Sequence, residues 1–515
     1  MKKYKFLLFI SCVLSLTGCY NDDSRLASDD KWIGDIVIEK MDAVNAIAYS
    51  TVLDITPTVN GYADNQLTYA WYIYGGEFSK ETQDGYRTHP ISDKKTLTYK
   101  VDLKAGDYTL VFEATEPATG YAVTSEVSLK VSTLFSQGFY ILKETAEGDT
   151  ELDLYNAADQ THISDILAST QGEPMTGAPR FMSVVYGQAY IDPETAKSAY
   201  ATGLFITSGQ HEFSIFRTND FLKIFDRSSL LYEEMPADEV PYTATTAMYN
   251  FYFSSKGVRT GDTEVFGGEF VTGKLGYPMD EGSSQFVQAC DGNGFLYWNE
   301  QKHRLMYTNG SNVVTINYLN GQVPWDNLHA VTTGWNHLAG ENTMWYLLED
   351  TNKQRYLVVL NKKHEIISLR PLNSGSHLAQ ADVVAGNALS AYCIYAVHNN
   401  QLYSYSLDEN GSESAALVVT GLPTGEKITY LSDVFFSKEF DYIVIGTQNG
   451  NEYALYMYEI KGGQPYGAPV HTIKGTGKVN NVRYVSQTPT WSFSPNYYAF
   501  TIYASLYGMG PDYPY

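Results

Sequence analysis

Hydrophobic runs repeat along residues 139–485 in a regular pattern. Seven times, an apolar and aromatic run reaches a small polar turn and is followed by a second such run. One example is Phe139–Leu142 followed by Leu152–Tyr155, and another is Ile394–Val397 followed by Leu402–Tyr405. Consecutive turns are about 45 to 61 residues apart, close to the roughly 40–50 residues of a propeller blade. The turns lie near Gly148, Gly209, Gly257, Lys302, Asn352, Asn399 and Gly450.

Several of these runs, such as Trp345–Leu348 and Tyr442–Ile445, are apolar almost without interruption. Uninterrupted apolar runs indicate strands that are covered on both faces, as the blades of a propeller are. The pattern therefore predicts a β-propeller over residues 138–515 with seven blades, and six or eight blades are the alternatives. We expect Val479–Val485 or Tyr498–Ile502 to close the ring by pairing with the first blade, which removes two sheet edges.

Residues 32–132 show a different pattern, in which apolar and polar positions alternate. Leu67, Tyr69, Trp71 and Ile73 share one face of a predicted strand, and a second strand alternates in the same way from Tyr108 to Ala114. Such alternation indicates half-buried antiparallel strands. About a hundred residues of it predict a β-sandwich, so the chain as a whole is expected to be all-β. Residues 133–137 form a short joint between the two domains.

The first 18 residues have the features of a secretory signal peptide. Lys2, Lys3 and Lys5 precede the apolar run Phe6–Leu16, which is too short to span a bilayer as a mature helix. The sequence Leu-Thr-Gly-Cys that ends at Cys19 resembles a bacterial lipobox, which implies cleavage before Cys19 and acylation of its thiol. An ordinary secreted protein with a chance cysteine is the alternative.

Residues 19–31 form a polar, acidic spacer without a core-forming pattern. Acidic residues directly after the lipidated cysteine resemble the surface-export signal of Bacteroidetes lipoproteins. That resemblance implies an outer-membrane lipid anchor with the protein facing the cell exterior. A solubilising linker that faces the periplasm is the alternative.

The net charge argues against one class of partner. The formal net charge is −23, and a surface this acidic repels phosphate backbones, so no nucleic acid partner is expected.

After the signal peptide is removed and Cys19 is lipidated, Cys290 and Cys393 remain. Each lies in an apolar run, so we expect two buried free thiols, with a disulfide as the alternative.

Catalytic and metal-binding motifs are not found in the sequence. There is no Gly-x-Ser-x-Gly elbow, no His-Glu-x-x-His, and no cysteine or histidine pair at metal-ligand spacing. Neither catalytic residues nor a metal or cofactor is therefore predicted. The acidic pairs Glu233-Glu234 and Asp238-Glu239 lie between Tyr232 and Tyr242, which we interpret as a solvated loop rather than a pair of glycosidase carboxylates.

Candidate ligand-binding residues come from the long segment between Gly321 and Glu341. Aromatic rings stack on apolar faces of sugars or planar ligands, while nearby polar side chains bind their polar groups. Trp325 follows Pro324 in a polar stretch and is expected to be exposed, whereas Trp335 is either a packing residue or a binding residue. The candidates are Trp325, Asp326, Trp335 and His337.

Three segments of the first domain resemble a PKD domain: Tyr69-Ala70-Trp71-Tyr72, Gly106-Asp107-Tyr108 and Val127–Val131. The Asp-Phe-Gly-Asp-Gly run of better-known members is missing after Trp71. Together with the lipobox and the aromatic repeats, the chain resembles the PKD-like lipoproteins of Bacteroidetes. That resemblance implies a place beside SusC/SusD-type outer-membrane uptake systems.

The expected function is therefore that of a cell-surface lipoprotein without catalytic activity. It would bind a ligand, a glycan or a peptide, or act as a scaffold for a SusC/SusD-type nutrient importer. One alternative is a propeller hydrolase or lyase that acts on glycan or peptide. A second alternative is a subunit that binds only other proteins.

Acylation of Cys19 is the first testable prediction. Cells fed a labelled fatty acid are expected to label the wild-type protein and not the Cys19→Ala variant, because the thiol is the acceptor. Equal labelling of both proteins, or of neither, contradicts the lipobox interpretation.

Overall fold

A computed structural model describes residues 36–48, 50–76, 78, 85–246, 249–261, 271–291, 294–316, 324–336, 343–436 and 440–485. The chain divides into two compact units, residues 1–132 and 133–515. Both are built mainly of β-strands, so the all-β prediction is confirmed. Cys19, His337 and the segment Tyr498–Ile502 lie outside the described residues. Within the described part of the chain, no helix is long and apolar enough to cross a membrane.

Within its described residues, the first unit contains nine strands and two short 3-10 helices at Asp64–Gln66 and Gly85–Thr88. The strands are β1 (Val37–Ile38), β2 (Val44–Ile47), β3 (Val52–Ile55), β4 (Val59–Asn60), β5 (Thr68–Gly75), β6 (Pro90–Ser92), β7 (Leu97–Lys100), β8 (Gly106–Glu116) and β9 (Tyr121–Ser132). Five of them form one sheet in the order β2-β9-β8-β5-β6, while β3 pairs with β7 and β1 with β4. Residues from all three sheets pack into one apolar core.

Trp71 lies at the centre of this core and is completely buried. Its ring centroid is 4.9 Å from that of Phe112 on the neighbouring strand, and its Nε1 donates a hydrogen bond to the Lys95 carbonyl at 3.1 Å. The alternating face predicted from Leu67 to Ile73 faces this core. Trp71 is therefore a core residue of the first unit.

The second unit contains, within the described residues, seven consecutive antiparallel sheets of three or four strands. Sheet 1 has β10 (Gly138–Glu144), β11 (Thr150–Asn156), β12 (Thr161–Ile163) and β35 (Lys478–Val485). Sheet 2 has β13 (Pro179–Ile191), β14 (Ser198–Ser208), β15 (Glu212–Arg217) and β16 (Lys223–Asp226). Sheet 3 has β17 (Pro241–Thr246), β18 (Asn250–Ser254) and β19 (Gly257–Gly261). Sheet 4 has β20 (Val287–Asp291), β21 (Gly294–Asn299), β22 (Arg304–Thr308) and β23 (Val313–Thr315).

The last three sheets follow the same plan. Sheet 5 has β24 (His329–Asn336), β25 (Thr343–Glu349), β26 (Arg355–Asn361) and β27 (Ile366–Pro371). Sheet 6 has β28 (Val383–Ala385), β29 (Cys393–His398) and β30 (Gln401–Ser406). Sheet 7 has β31 (Lys427–Phe436), β32 (Phe440–Asn449), β33 (Glu452–Lys461) and β34 (Gln464–Thr476). A short helix, α1 (Ile166–Gln171), follows β12, and a 3-10 helix spans Trp325–Asn327. The seven hairpins predicted from the repeats are confirmed, one in each sheet.

Apolar side chains fill the space between consecutive sheets. Each sheet shares a buried hydrophobic cluster with the next one, and sheet 7 shares such a cluster with sheet 1. Between sheets 3 and 4, for example, the ring centroids of Phe253 and Tyr297 are 5.5 Å apart. This packing explains why the runs are apolar on both faces of the strand. The seven-bladed propeller itself remains a prediction.

The end of the chain returns to the first sheet. Strand β35 pairs antiparallel with β10 from Gly138↔Val485 to Glu144↔Lys478. A second contact joins sheets 7 and 1, because the Tyr453 hydroxyl on β33 donates to Asp153 Oδ2 on β11 at 2.6 Å. Asp153 is fully buried and its other oxygen, Oδ1, lies 2.7 Å from Lys143 Nζ. The prediction that one of the two tail segments pairs with the first blade's strands is confirmed for residues 478–485.

Removal of the Tyr453 hydroxyl tests this second contact. The Tyr453→Phe variant is expected to lose about 1–3 kcal/mol of unfolding free energy, because it leaves a buried carboxylate oxygen of Asp153 without its donor. Urea unfolding measures the loss. Tyr466→Phe is the control, since Tyr466 is 53% exposed and its substitution is expected to change the free energy by less than about 0.5 kcal/mol. Equal stability of both variants contradicts the assignment.

Candidate functional site

One cavity of about 550 Å³ receives residues from all seven sheets of the second unit. Sheets 2 to 7 each contribute their first strand or the residues next to it, and sheet 1 contributes β35. Each of these seven strands is an edge strand, so one of its sides has no strand partner in that sheet, and Phe295 of β21 adds one ring from the second strand of sheet 4. We call this space the common cavity. Its volume is within the range of small-molecule sites, roughly 300–1,000 Å³.

The lining of the common cavity combines polar and aromatic side chains. Hydroxyl and amide groups come from Ser183, Thr243, Thr245, Gln288, Thr332, Thr429, Ser432, Asn480 and Asn481. Aromatic rings come from Phe181, Phe286, Phe295, Trp335, Tyr430, Phe435 and Tyr484. Groups that donate and accept hydrogen bonds therefore alternate with flat apolar surfaces, an arrangement that fixes the orientation of a small polar ligand.

Arg483 is the one cationic side chain among the described residues that line the common cavity. Its Nη1 donates to the Val482 carbonyl at 3.0 Å, and its guanidinium carbon is 5.6 Å from the centroid of the Phe181 ring. Among the described residues, no carboxylate lies within ion-pair distance of it, 4.0 Å. Burial lowers the pKa of Arg483, because a charged group is costly to remove from water.

Asp433, on β31, lines the same cavity and retains partial solvent contact. Burial, together with the nearby charge of Asp441, raises its pKa to about 6. Asp441 Oδ2 accepts hydrogen bonds from the backbone nitrogens of Leu389 at 3.0 Å and Ser390 at 2.7 Å. Such bonds favour the ionised form of Asp441, but burial outweighs them and raises the pKa of Asp441 as well. The two neighbouring carboxyl groups therefore titrate as a coupled pair.

A chain of side-chain hydrogen bonds fixes Asp441 beside the cavity. Asn336, at the end of β24, donates to the carbonyls of Asn387 at 2.7 Å and Ala391 at 2.6 Å. The Asn387 amide in turn lies 3.4 Å from Asp441 Oδ2. Sheets 5, 6 and 7 are thereby joined close to Asp433, which holds its charged surroundings in a fixed geometry.

Three buried polar atoms of the lining have no hydrogen-bond partner among the residues that the structure describes. They are Ser432 Oγ, Asn481 Oδ1 and Arg483 Nε. All three belong to β31 and β35, the strands that also carry Asp433 and Arg483. Buried polar groups without partners are uncommon because each costs about 1–3 kcal/mol, so their grouping marks this side of the cavity as a candidate binding site.

The residues predicted from the aromatic segment do not form one site. Trp335 lines the common cavity and packs edge-on against Phe435, with centroids 6.2 Å apart. Trp325 and Asp326 are not among the residues that line the cavity. Asp326 is exposed and pairs with Arg304 at 2.9 Å. His337 lies outside the described residues, and the binding role of these residues remains a prediction.

The expectation that Trp325 is exposed is wrong. Only 5% of Trp325 is exposed, and its ring stacks on that of Trp298 with a centroid distance of 6.4 Å. The 3-10 turn that begins at Trp325 directs the ring into the core between sheets 4 and 5. The polar residues that surround Trp325 in the sequence do not predict this turn.

The acidic segment between Tyr232 and Tyr242 is only partly a solvated loop. Glu239 is fully buried and its Oε1 lies 2.8 Å from Arg259 Nη1, so the interpretation of a solvated loop is wrong for this residue. Glu233 and Glu234 instead border an open groove of about 970 Å³. The groove is larger than the common cavity, but its lining comes mainly from sheet 2 and the segments after it.

Cys393 is buried and free, as expected for one of the two remaining thiols. Within the described residues, no group of three or more histidine, cysteine, aspartate and glutamate side chains is arranged to hold a metal ion. The sequence reasoning missed Asp433 and Arg483. A single charged residue inside an otherwise apolar strand, as in Tyr430–Phe436, was the available signal.

The comparison with protein families gives a match mainly in the first unit. Residues 19–179 match the model of the PKD-like family. The match covers the first unit from residue 19 and extends through β10, β11, β12 and α1 of the second unit to the start of β13, so it is longer than the segment recognised from the sequence. No curated protein sequence matches the chain.

Solved structures give only distant likenesses to this chain. A quinonprotein alcohol dehydrogenase-like protein from Bacteroides thetaiotaomicron has 15% identity and a TM-score of 0.38, over 86% of this chain and 97% of that chain. A putative 6-phosphogluconolactonase from Bacteroides uniformis has 11% identity and a TM-score of 0.35, over 68% of this chain and 100% of that chain. TM-scores this low do not establish a common fold.

The raised pKa of Asp433 gives a prediction about stability. Because the folded-state pKa of about 6 exceeds the ordinary aspartate value of 3.8, the folded protein binds the proton more tightly, and stability falls as pH rises from about 4 to 6. The Asp433→Asn variant cannot ionise, so it is expected to be more stable than wild type by up to about 3 kcal/mol at pH 7.5 and by less at pH 4.5.

Urea unfolding at pH 4.5 and 7.5 measures this difference. The control is Asp382→Asn, since Asp382 also borders the cavity but is exposed. Its effect is expected to be small at both pH values. An Asp433→Asn variant whose advantage does not grow with pH contradicts the assignment.

Proposed function

We propose that the second unit is a seven-bladed β-propeller that captures a small saccharide in the common cavity without chemical change. Two features support the propeller: the shared apolar clusters between consecutive sheets, including sheets 7 and 1, and the pairing of β35 with β10. Propellers place the inner strand of each blade around a central channel. The common cavity, bordered by one strand from each sheet, is the expected position of that channel.

The observation that carries the proposal is the chemistry of the cavity lining. Sugars present hydroxyl groups at their edges and apolar C–H faces, and they are bound by amides, hydroxyls and aromatic rings together. The common cavity contains all three kinds of group, and Ser432 Oγ and Asn481 Oδ1 have no hydrogen-bond partner within the described part of the chain. A saccharide with several hydroxyl groups would satisfy them.

The cellular setting of the proposal comes from the start of the chain. A lipidated Cys19 and an acidic spacer would hold the protein on the outer face of the outer membrane. Capture of a saccharide there serves uptake, so we propose a role beside a SusC/SusD-type importer. Protein partners would then contact the outer surface rather than the cavity.

A hydrolase or lyase is the second candidate, and one observation favours it. A carboxylic acid with a pKa of about 6 can donate a proton near neutral pH, as general acids of glycosidases do. Asp433 would be that acid. Release of shorter sugars from a bound oligosaccharide, abolished in Asp433→Asn, would establish this alternative.

Filling the cavity tests the capture proposal. Thr332, on β24, borders the common cavity, so Thr332→Trp is expected to reduce binding at least tenfold to any oligosaccharide that the wild type retains on glycan affinity gels. The control is Thr420→Trp, which places the same ring at an exposed turn position and is expected to leave retention unchanged. Failure of the wild type to retain any glycan of the panel, or unchanged retention of Thr332→Trp, contradicts capture in the cavity.

A further inference from the structure

Arg483 is half-buried and differs in its surroundings from five other buried or half-buried arginines of the second unit. Arg217 lies 2.6 Å from Asp220, Arg355 lies 3.0 Å from Glu349, and Arg259 lies 2.8 Å from Glu239. Each of these guanidinium groups is therefore neutralised by a carboxylate. Arg227 and Arg370 have no carboxylate partner among the described residues, but each donates to three backbone carbonyls. Arg483 has no carboxylate of the described residues at such a distance, although it lies on a strand that borders the common cavity.

A buried charge without a counter-ion is costly. Among the described residues, the Val482 carbonyl and the face of the Phe181 ring contact the Arg483 guanidinium, and no described group is a hydrogen-bond partner of its Nε. The planar guanidinium matches a carboxylate in shape and charge, and charge-assisted bonds of this kind are about twice as strong as neutral ones. A ligand carboxylate would thus supply the partner that the protein itself does not.

We propose that the common cavity selects saccharides that carry a carboxylate, that is, uronic acids, and that Arg483 is the residue that determines this specificity. The inference rests on the proposed capture of a saccharide. It goes beyond that function because it assigns the charge class of the ligand, which hydroxyl, amide and aromatic groups alone do not determine.

Negative charges near the cavity oppose such a ligand, and they make its binding depend on pH. Asp433 lines the cavity, and the charged or titratable groups around it are Asp441 on β32, Arg483 on β35, Tyr430 on its own strand and Tyr395 on β29. When Asp433 is protonated, the ligand carboxylate meets Arg483 without this repulsion. Affinity for a uronic acid is therefore expected to rise as pH falls through about 6, while the ligand remains ionised.

Calorimetric titration with charged and neutral forms of the same sugar tests the inference. The probes are di- to tetrasaccharides of galacturonate and of glucuronate, each compared with its methyl ester, which keeps the ring and removes the charge. At pH 5.5 the wild-type protein is expected to bind at least one acid at least tenfold more tightly than its ester. Equal or tighter binding of the esters overturns the inference and leaves saccharide capture intact, whereas binding of no saccharide overturns capture as well.

Substitutions at two positions of β35 identify the residue that causes the preference for the acid over the ester. Arg483→Gln is expected to reduce the preference for the acid to about one, and Arg483→Lys, which keeps the charge without the planar fork, to retain part of it. Lys478→Gln removes a positive charge from the same strand at an exposed position, where Lys478 pairs with Glu144, and is expected to keep the full preference. A preference retained by Arg483→Gln overturns the assignment. The acid-to-ester ratio of the wild type needs no variant, so the test holds if Arg483→Gln does not fold.

Titrations at two pH values distinguish selection by charge from a purely structural role of Arg483. Wild-type affinity for the acid is expected to fall severalfold from pH 5.5 to pH 7.5, whereas affinity for the ester stays constant. In Asp433→Asn the acid is expected to bind at pH 7.5 as tightly as the wild type binds it at pH 5.5. A pH profile that is identical for acid and ester overturns the role of Arg483 and Asp433 in selection.

Discussion

Pairing of β35 with β10 is the interaction on which the second unit depends. Strands at the edge of a sheet expose unpaired backbone groups, and a chain of stacked sheets would leave apolar faces uncovered at both ends. The eight-residue strand β35 gives sheet 1 its fourth strand and joins the two ends of the unit. Tyr453 and Asp153 add a buried side-chain bond between sheets 7 and 1. The same strand supplies Arg483 to the common cavity, so closure of the unit and the chemistry of its candidate site depend on the same residues.

Buried charges fall into two groups with different consequences. Arg259 with Glu239, and Lys143 with Asp153, are paired within the protein and fix neighbouring segments. Asp433 and Arg483 are half-buried at one cavity and have no ion pair with another described residue, and a charge that is removed from water without a partner is costly. Perturbed groups of this kind concentrate at functional sites.

The fold was more predictable from the sequence than the site. Runs such as Trp345–Leu348 reveal burial on both faces, and Gly148 or Asn399 mark turns, because strand periodicity and turn preferences are local properties. Burial of Trp325 depends on Trp298, 27 positions earlier in the chain, and on a 3-10 turn that has no clear sequence pattern. Asp433 and Arg483 are 50 positions apart. They can be recognised as parts of one site only in the fold, where β31 and β35 border the same space. Local patterns contain no information about which distant strands meet.

The candidate binding residues lie on strands rather than on loops, and this affects how the cavity recognises a ligand. Propeller loops commonly carry binding residues, and the segment around Trp325 is predicted to be such a loop. The buried polar atoms of the cavity lining that have no partner among the described residues lie instead on β31 and β35. Strands held by ladders on one side and by apolar clusters on their faces move little, so the positions of Ser432, Asn481 and Arg483 are fixed before a ligand arrives. A preorganised site loses less conformational entropy on binding and rejects ligands that leave its buried groups unsatisfied. An unpaired guanidinium in such a rigid wall therefore discriminates by charge more strongly than the same residue on a loop, which could turn towards solvent.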